Sequence, residues 1–465
     1  MPRADVMEVY NLLPKSNCGA CGCKTCMEFA TKLVNREADP EDCPNLDEDS
    51  LKKLRELLAP PVREVTICRG DREVVVGGDE VLFRHELSYF NPPPVFIAVY
   101  DDMEEDELRE KAERAQEFQV ERVGETLRVD GLAVVSRTGD PERFAAAVET
   151  AVEHSEDLAI ALISQDPRVL AAGLDAFDER PLLYPATEEN LEDLVELAAE
   201  HECPLGLHAT EVEDLVELSV RARERVEDLL LDPGTEFGPH DVVATTDKLA
   251  ELRKAAVEEE FEPLGYPTLV TTFPYRFLED DPVEAARRES YLAAACVLRY
   301  ADALIMDTLE PWALLPVLTQ RQCIYTDPRE PQAVDPGLYK IGDPDEHSPV
   351  LVTTNFTLTY HCVADDLESA DVDCWLLVID TGGLAVDVSV AGGQFNGQAV
   401  KEALEEFNVE DKVNHRVLVI PGKAAAVKGD VEDATGWKVV IGTQDSSELP
   451  EFLEKEGLLR IKEEG

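Results

Sequence analysis

The sequence predicts an α/β protein in three parts: a small cysteine-rich head, a central run of alternating strands and helices, and a smaller C-terminal α/β domain. Three observations support this division. Five of the eleven cysteines lie between residues 18 and 43, strand-like and helical segments alternate through the middle of the chain, and the alternation resumes after a Pro-rich, acidic segment at 327–349. We place the head at 1–60, the central domain with a preceding β-hairpin at 61–326, and the linker with the C-terminal domain at 327–465.

Acidic residues outnumber basic residues by 98 to 43 in the 465-residue chain, which gives a formal net charge of −55. Such a charge argues against nucleic-acid binding, which needs a basic surface. The sequence contains no apolar run of the roughly 18 residues that a membrane span requires, and the opening MPRADVMEVY lacks the apolar core of a secretory signal. We therefore expect a cytoplasmic protein with no nucleic-acid or membrane partner, in a compartment that keeps thiols reduced.

The head has a cysteine spacing typical of a metal centre. With Cys23 set aside, the pattern C-x2-C-x4-C-x16-C is formed by Cys18, Cys21, Cys26 and Cys43. Four thiolates are the ligand set of a 4Fe-4S cluster, and they are also a ligand set of structural zinc. We favour the cluster and keep zinc as the alternative. Gly19 and Gly22 permit a tight loop around the metal, and spacing alone does not decide whether Cys23 is a ligand.

The middle region alternates as a parallel sheet does. After the break LAPPV, the segment REVTICRGDREVVVGGDEVLFRHE predicts two or three antiparallel strands. Nine strand candidates follow: VFIAVYD, LAVVS, LAIALIS, PLLYPA, PLGLHAT, DLLLDPG, PTLVTTF, DALIMDT and CIYTD. Amphipathic helical segments such as PERFAAAVETAVEHS separate them, and eight repeats over about 230 residues are the size of a (β/α)8 barrel. One of the nine candidates must therefore be misassigned.

Polar residues follow several of these strands, where a barrel carries its active site. The segments SQDP, HAT and LDPG place five side chains at the carboxyl rim: Gln165, Asp166, His208, Thr210 and Asp232. The alternative is that the Asp-Pro and Gly residues only form turns and that the histidine is a hydrogen-bonded structural residue. The sequence has no HExxH motif, no Ser-His-Asp order and no phosphate-binding loop that would identify a reaction.

The C-terminal domain repeats the alternation on a smaller scale. Apolar strands in PVLVTTNFTLTYHCV, CWLLVIDTGG, HRVLVIPGK and GWKVVIGT are separated by helices such as QAVKEALEEFN, and a final helix lies near SSELPEFLEKEG. Gly382-Gly383, Pro421-Gly422 and Gly442 each follow a strand. Ligands of open α/β sheets bind beyond the carboxyl ends of the strands, where glycines let the backbone approach a large flat ligand. Ordinary turn glycines are the alternative.

Together these motifs resemble a known family. The head NCGACGCKTCMEFA, a barrel, and then VLVTTNFTLTY, VIDTGGLAV, VIPGKAAAVKG and TGWKVVIGT closely resemble the large (gamma) subunit of the corrinoid iron–sulfur protein of the acetyl-CoA decarbonylase/synthase (CO dehydrogenase/acetyl-CoA synthase) complex. The resemblance covers nearly the whole chain. It implies an iron–sulfur head, a TIM (β/α)8 barrel and a Rossmann-like C-terminal corrinoid-binding domain. It also implies pairing with a small (delta) subunit as a heterodimer.

The resemblance further implies a function in one-carbon metabolism and methanogenesis. Members of the family are methyltransferase-type methyl carriers. Their corrinoid (cobamide) cobalt accepts a methyl group from a methylated tetrahydropterin, of the tetrahydrosarcinapterin type in methane-forming archaea, and passes it to the nickel–iron cluster of acetyl-CoA synthase. The 4Fe-4S cluster reactivates Co(II). Because the sequence lacks the D-x-H-x-x-G motif that supplies a lower histidine ligand in many corrinoid carriers, we expect no histidine below the cobalt.

Carried over position by position, the resemblance assigns the ligands. The cluster would be bound by Cys18, Cys21, Cys26 and Cys43, and the fifth cysteine stands where the family pattern requires none. The segments TTNFTLTY and DTGGLAVD would bind the corrinoid through Thr354, Tyr360, Thr381, Gly382, Leu384, Ala385, Val386 and Asp387. The pair Gly382-Gly383 is a mild departure from the second family motif.

Two other functions remain open at this point. The barrel could be a pterin methyltransferase in its own right, since LLLDPG is similar to pterin-binding barrels. The chain could also be an electron-transfer or assembly subunit with a cluster but no corrinoid. Metal analysis of the purified heterodimer separates these functions, because only the methyl carrier holds both iron and cobalt.

Overall fold

The computed structural model describes residues 5–238 and 240–460. The chain divides into two units, Met1–Val120 with Leu127–Pro328 and Glu121–Thr126 with Arg329–Gly465. The first four residues of the predicted head and the last five of the predicted C-terminal domain lie outside the described residues, and the three domain boundaries stay a prediction. Within the described ranges, none of the helices combines the length and the apolar character that crossing a membrane requires.

Three short helices form the head: α1 Val6–Leu12, α2 Cys26–Val34 and α3 Glu48–Leu58. Each begins after a side chain that caps its first amides. At α2 the Thr25 hydroxyl accepts the Glu28 amide at 3.1 Å, and the Glu28 carboxylate accepts the Lys24 amide at 2.9 Å. Apolar side chains of all three helices, including the buried Phe29, form a small core of their own. Cys26 is thereby held at the first position of a well-capped helix.

A β-hairpin precedes the barrel, within the range of two or three strands that the sequence predicts. It consists of β1 Glu64–Ile67 and β2 Val74–Gly77, which pair antiparallel. Residues 81–86 form bends and turns instead of a third strand, and the Leu82 carbonyl accepts the Tyr89 hydroxyl at 2.7 Å.

The barrel begins with β3 Val95–Tyr100 and α4 Glu105–Glu117. A second hairpin follows, made of β4 Gln119–Arg122 and β5 Glu125–Arg128. It was not predicted from the sequence, because its strands, QVER and ETLR, contain one apolar residue each and so lack the alternation of apolar and polar residues that predicts a strand.

Seven more strands complete the barrel: β6 Gly131–Val135, β7 Ala159–Ile163, β8 Leu182–Ala186, β9 Leu205–His208, β10 Leu229–Asp232, β11 Leu269–Thr271 and β12 Ala303–Met306. Eight helices alternate with them: α5 Pro141–Glu153, α6 Pro167–Ala176, α7 Leu191–Glu200, α8 Val212–Ala222, α9 Asp241–Val257, α10 Tyr275–Leu278, α11 Pro282–Val297 and α12 Pro311–Tyr325. The strands pair in parallel in the order β10-β9-β8-β7-β6-β3-β12-β11, and a bridge between Leu231 and Thr268 nearly closes the ring. The predicted eight-stranded parallel barrel is confirmed in this nearly closed form.

The ninth strand candidate, CIYTD at 323–327, is wrong. Its first three residues end helix α12, which continues past Pro316 to Tyr325. Other segments fill all eight strand positions of the barrel. The Arg321 side chain fastens this part of the helix by donating to the Pro93 carbonyl at 3.1 Å. Tertiary packing here overrides the strand propensity of the β-branched and aromatic residues.

The second unit contains an open sheet of five strands: β13 Gly337–Ile341, β14 Val350–Thr354, β15 Cys374–Ile379, β16 Val417–Ile420 and β17 Lys438–Ile441. Its helices are α13 Thr357–Ser369, α14 Val386–Gly392, α15 Gly397–Glu406, α16 Lys428–Thr435 and α17 Leu449–Lys455. The sheet order is β13-β15-β14-β16-β17, with β13 antiparallel and the other strands parallel. Strand β13 lies inside the segment 327–349, so the prediction that this whole segment is a linker or loop is wrong.

Helices cover both faces of this sheet. Val352 and Leu377 pack on one face with α14, α15 and α16, while Leu351 and Leu376 pack on the other face with α13 and α17. The first parallel strand, β14, lies between the second and the third. The connection from β14 to β15 and the connection from β16 to β17 therefore run towards opposite sides of the sheet. The point between β14 and β16 is the topological switch point, at which open α/β sheets bind ligands.

A buried group of charges fixes the base of the barrel. Arg253 of α9 is fully buried and contacts the carboxylates of Asp79 and Asp302, donating to the latter at 2.7 Å. Burial raises the pKa of Asp79, and the guanidinium opposes that shift. Because Asp302 immediately precedes β12 and Asp79 follows β2, the cation joins the hairpin to the barrel.

We expect the Arg253→Met variant to lose about 3–5 kcal/mol in free energy of unfolding, because it leaves two buried carboxylates without a cation. Guanidinium denaturation followed by circular dichroism measures the loss. Arg69→Met is the matched control, since Arg69 pairs with Glu202 on the surface and its removal should change little. Equal unfolding midpoints for the two variants would contradict the assignment.

Candidate functional site

All five cysteines of the head line one small cavity at the start of α2: Cys18, Cys21, Cys23, Cys26 and Cys43. They differ in exposure, because the first is exposed, the second is half-buried and the other three are buried. The four predicted ligands therefore lie around a common space, and the fifth cysteine shares it.

Two glycines shape the loop that carries the first thiols. Gly19 and Gly22 have φ values of 74° and 79°, and the Gly22 amide donates to the Gly19 carbonyl at 3.1 Å. A side chain at either position would be strained in this left-handed conformation. The Asn17 side chain closes the loop against α2 by accepting the Cys26 amide at 2.8 Å.

Hydrogen bonds favour the thiolate form of Cys18. The Ala20 amide, the Ser16 hydroxyl and the Asn45 side-chain amide, whose nitrogen lies 3.2 Å from the sulfur, lower the pKa of this thiol. Burial has the opposite effect on Cys23 and raises its pKa. The donors around Cys18 would also stabilise a metal-bound thiolate at this position.

As they stand in the described part of the chain, no three or more His, Cys, Asp or Glu side chains form a group that would hold a metal ion. The donor set fits a thiolate-bound metal centre chemically, since the cavity is lined by sulfur and enclosed by a glycine-shaped loop. Geometry alone does not select four ligands from the five.

The second candidate site is a cavity of about 270 Å³ at the carboxyl edge of the five-stranded sheet. Its walls come from β14 and β16, from α13, from the start of α14 and from the loop after β17. Val352, Val419 and Ile420 form part of an apolar floor, and a few polar side chains stand around it. An apolar floor with sparse polar groups at a switch point is typical of a ligand site.

Asn355 organises the loop beside this cavity. Its side-chain oxygen accepts the amides of Thr381 and Gly383 and the Thr381 hydroxyl, each at 3.0 Å. The Leu384 carbonyl lies at the same distance of 3.0 Å from the Thr381 hydroxyl, whose single proton is shared between these two acceptors. Asn355 was not among the residues predicted from the sequence, although it follows directly on β14 at the predicted edge. One buried amide therefore holds the DTGG loop and the start of α14 in place.

The structure places three of the predicted corrinoid contacts in the cavity wall: Ala385, Val386 and Asp387. The other five lie near the wall but do not line the cavity: Thr354, Tyr360, Thr381, Gly382 and Leu384. Tyr360 turns away and packs on Tyr339, with ring centroids 4.9 Å apart. Lining residues that were not predicted from the sequence include Thr353, Leu358, Lys423, Thr443 and Gln444. The segment PGK, which follows an apolar strand, was the sequence pattern from which Lys423 could have been predicted as a lining residue.

The cavity suits part of a large, mainly neutral ligand. The buried Thr353 hydroxyl lines it and has no hydrogen-bond partner among the described residues, a situation that costs about 1–3 kcal/mol unless a ligand supplies the partner. Carboxamide groups of a corrinoid would do so. With about 270 Å³ the cavity is too small to enclose a whole corrinoid, so it would seat one side of the molecule.

Of the side chains predicted at the barrel rim, Asp166 already has partners within the protein. The Asp166 carboxylate caps α6 by accepting the Arg168 amide at 2.9 Å and pairs with the same residue's guanidinium at 2.7 Å, which lowers its pKa. It is therefore a turn residue, as the alternative interpretation held. The side chains of Gln165 and Thr210 are exposed at the rim.

His208, Asp232 and Tyr184 form one hydrogen-bonded group at the rim. One oxygen of the buried Asp232 contacts both the Tyr184 hydroxyl and His208 Nδ1, the latter at 3.0 Å, and the other oxygen accepts the Gly234 amide at 2.8 Å. Both carboxylate oxygens are thus satisfied within the protein. The carboxylate thereby fixes the orientation of the imidazole.

Comparison with protein families gives two matches. Residues 64–453 match the model of the CO dehydrogenase/acetyl-CoA synthase delta subunit, and residues 13–45 match a model described as "Putative Fe-S cluster". The first match shows a CO dehydrogenase/acetyl-CoA synthase family and leaves out the head. The second covers the head and its cysteine motif.

Full-length relatives include acetyl-CoA decarbonylase/synthase complex subunits gamma from three archaea. The one from Methanopyrus kandleri is 81% identical over the whole of both chains. Those from Methanocaldococcus jannaschii and Archaeoglobus fulgidus are 43% and 40% identical, over 97% of this chain and 96% and 97% of theirs. Because these matches include the head, the gamma name describes the chain better than the delta name of the family model.

Among solved structures, dihydropteroate synthase from Thermus thermophilus matches 57% of this chain and all of its own, with 18% identity and a TM-score of 0.38.

The pairing of His208 with Asp232 predicts a pH-dependent contribution to stability. The hydrogen bond to Asp232 raises the pKa of His208 above its ordinary value of 6.5. The imidazolium therefore stabilises the fold fully below that ordinary value, and the contribution is lost as the pH rises through the higher folded-state pKa. We expect His208→Gln to lose more free energy of unfolding at about pH 5.5 than at about pH 9. Denaturation of both proteins at the two pH values measures this difference, and an equal loss at both would contradict it.

Proposed function

The chain belongs to the family of acetyl-CoA decarbonylase/synthase complex gamma subunits, and on that premise we propose that it is a corrinoid and 4Fe-4S methyl carrier. The supporting observation is that one chain contains a thiol-lined cavity in its head and a separate cavity at a sheet edge. The two sites differ as the two cofactors differ. One offers sulfur ligands, and the other offers an apolar floor with sparse polar groups.

When bound, the corrinoid supplies a cobalt nucleophile for methyl transfer from a methylated tetrahydropterin of the tetrahydrosarcinapterin type to the nickel–iron cluster of acetyl-CoA synthase. The 4Fe-4S cluster supplies the electron that restores oxidised cobalt. In this role the chain is the large subunit of a corrinoid iron–sulfur protein and a methyltransferase-type subunit. The protein positions both groups and sets their surroundings.

In the head, we propose that four thiolates hold the cluster: Cys18, Cys21, Cys26 and Cys43. Hydrogen bonds already favour the thiolate of Cys18, and Asn45 would remain bound to its sulfur. Cys23 stands outside the C-x2-C-x4-C-x16-C spacing, so we assign it as a neighbour of the cluster that is not a ligand.

At the sheet edge, we propose that Ala385, Val386 and Asp387 contact the corrinoid directly. The other predicted residues support these contacts from behind the cavity wall: Thr354, Tyr360, Thr381, Gly382 and Leu384. The switch point in the strand order of this sheet supports the proposal of a Rossmann-like corrinoid-binding domain. None of the described residues that line the cavity is a histidine.

We propose the small (delta) subunit as the heterodimer partner and acetyl-CoA synthase as a further partner within the complex. Because the cavity would seat only one side of a corrinoid, the remaining surface of the ligand would be available to these partners and to the methylated pterin. A barrel methyltransferase acting alone has less support, since Asp166 caps a helix and Asp232 is satisfied internally.

The cluster assignment predicts the iron content of single variants. Replacing any one of the four ligand cysteines by serine should lower iron in the anaerobically purified heterodimer well below the about four atoms of a 4Fe-4S cluster. Cys23→Ser should keep about four iron atoms, because that thiol is not a ligand. Metal analysis with electron paramagnetic resonance measures both. Zinc without iron in the wild type, or iron loss in Cys23→Ser, would contradict the assignment.

The corrinoid site predicts that filling the cavity abolishes cobalt binding. Ala385→Trp should prevent corrinoid uptake, because the indole would occupy the cavity. Val388→Trp is the matched control, since Val388 is exposed on the same helix and does not line the cavity. Cobalt content and the visible spectrum of the reconstituted heterodimer report the outcome, and circular dichroism verifies folding. Cobalt retained by a folded Ala385→Trp would contradict the site.

A further inference from the structure

Lys423 is the only basic residue among the described residues that line the sheet-edge cavity, and Asp387 is the only acidic one. The rest of the lining is apolar or neutral and polar. Among the described lining residues, the Lys423 ammonium is therefore the one charged group that attracts an anion, and the Asp387 carboxylate, which forms no ion pair with it, is the one that repels an anion.

The Lys423 ammonium has no ion pair with any described residue, although the chain has 98 acidic and 43 basic residues. The nearby Lys428 shows the more usual situation in this segment, because its ammonium lies 3.8 Å from the Glu432 carboxylate. In so acidic a chain an unpaired lysine beside a cavity is available to a ligand anion.

Backbone packing fixes where this lysine stands. The Gly422 amide donates to the Thr443 carbonyl at 2.8 Å, and a Cβ added at Gly422 would lie 2.8 Å from the Thr443 backbone. The loops after β16 and β17 therefore meet backbone to backbone, with no room for a side chain between them. Lys423 extends from this junction, and the cavity lining includes it together with Thr443, Gln444 and Ser446.

Neutral donors accompany the cation. The side chains of Gln444 and Ser446 make no hydrogen bond to described residues, so both can donate to a ligand oxygen. An ammonium with two or more neutral donors is a common arrangement for a phosphate diester, whose single charge is spread over two oxygens.

We propose that Lys423 binds the phosphodiester of the nucleotide loop of a complete cobamide. This inference rests on the proposed function. It specifies, in addition, that the site recognises the nucleotide loop of the corrinoid. The corrin ring carries neutral carboxamides, and the phosphodiester is the one fixed anion of the molecule. The site would therefore select complete cobamides over cobinamide, which lacks the nucleotide loop.

Binding titrations of the corrinoid-free heterodimer test the proposal by spectroscopy, without any measurement of methyl transfer. The probes are a complete cobamide, cobinamide and inorganic phosphate. We expect Lys423→Ala to weaken cobamide binding by about tenfold or more and to leave cobinamide binding within about twofold. Lys423→Arg should retain most of the affinity, and raising the salt concentration should weaken wild-type cobamide binding more than that of Lys423→Ala.

Lys428→Ala is the matched control, because it removes a lysine five positions away that pairs with Glu432 and does not line the cavity. It should bind both corrinoids like the wild type. Equal weakening of cobamide and cobinamide in Lys423→Ala, or no weakening of either, would overturn the phosphodiester assignment while leaving the corrinoid proposal intact. Failure of the wild type to bind either corrinoid would overturn the proposed function itself. Phosphate that binds the wild type but not Lys423→Ala, and that does not compete with cobamide, would show that Lys423 serves free phosphate instead.

Discussion

Parallel strand pairing is the constraint on which most of this structure depends. A parallel strand pair needs a crossover between its members, and the crossover helices cover the sheet and bury its strands on both faces. All the carboxyl ends then meet at one edge, where the chain leaves the sheet and polar side chains become possible. In the barrel, helix caps and the Asp232 group occupy part of this edge. In the smaller sheet the diverging connections of β14 leave an opening, and the second cavity lies there.

The head is built on a different principle. Its three short helices enclose a small core, and the cysteine loop is held by left-handed glycines and side-chain hydrogen bonds. Small domains of this kind bury too little apolar surface to be very stable on their own, and bound metal commonly supplies the remainder. Sulfur would therefore serve both the chemistry and the folding of this region.

The sequence predicted the parts of the structure that rest on regular patterns. Eight barrel strands stood out as apolar runs between amphipathic helices, and the cysteine spacing located the head. What it missed depends on tertiary contacts. CIYTD has strand propensity but lies at the end of α12, and β13 is an edge strand flanked by prolines that resemble a linker. Thr354 was predicted from the sequence as a corrinoid contact, but Thr353 lines the cavity. Successive strand residues point to opposite faces, so the two threonines cannot both do so. Asn355 and Lys423 were missed because their positions depend on contacts between loops that are distant in the sequence, and no local sequence pattern predicts such contacts.

The shared cavity of five thiols has a consequence for handling the protein in air. In the proposed centre, coordination to a 4Fe-4S cluster would protect four sulfurs, and the fifth cysteine would have no such protection beyond burial. If the proposed metal is lost, each thiolate would have several neighbours with which it can form a disulfide, and every one of these pairings would use at least one proposed ligand. Oxygen damage to the head would then persist after iron and sulfide are supplied, until a reductant opens the cross-links. The fifth thiol would have no role in the assembled centre, but it would add disulfide pairings that stop the centre from being rebuilt.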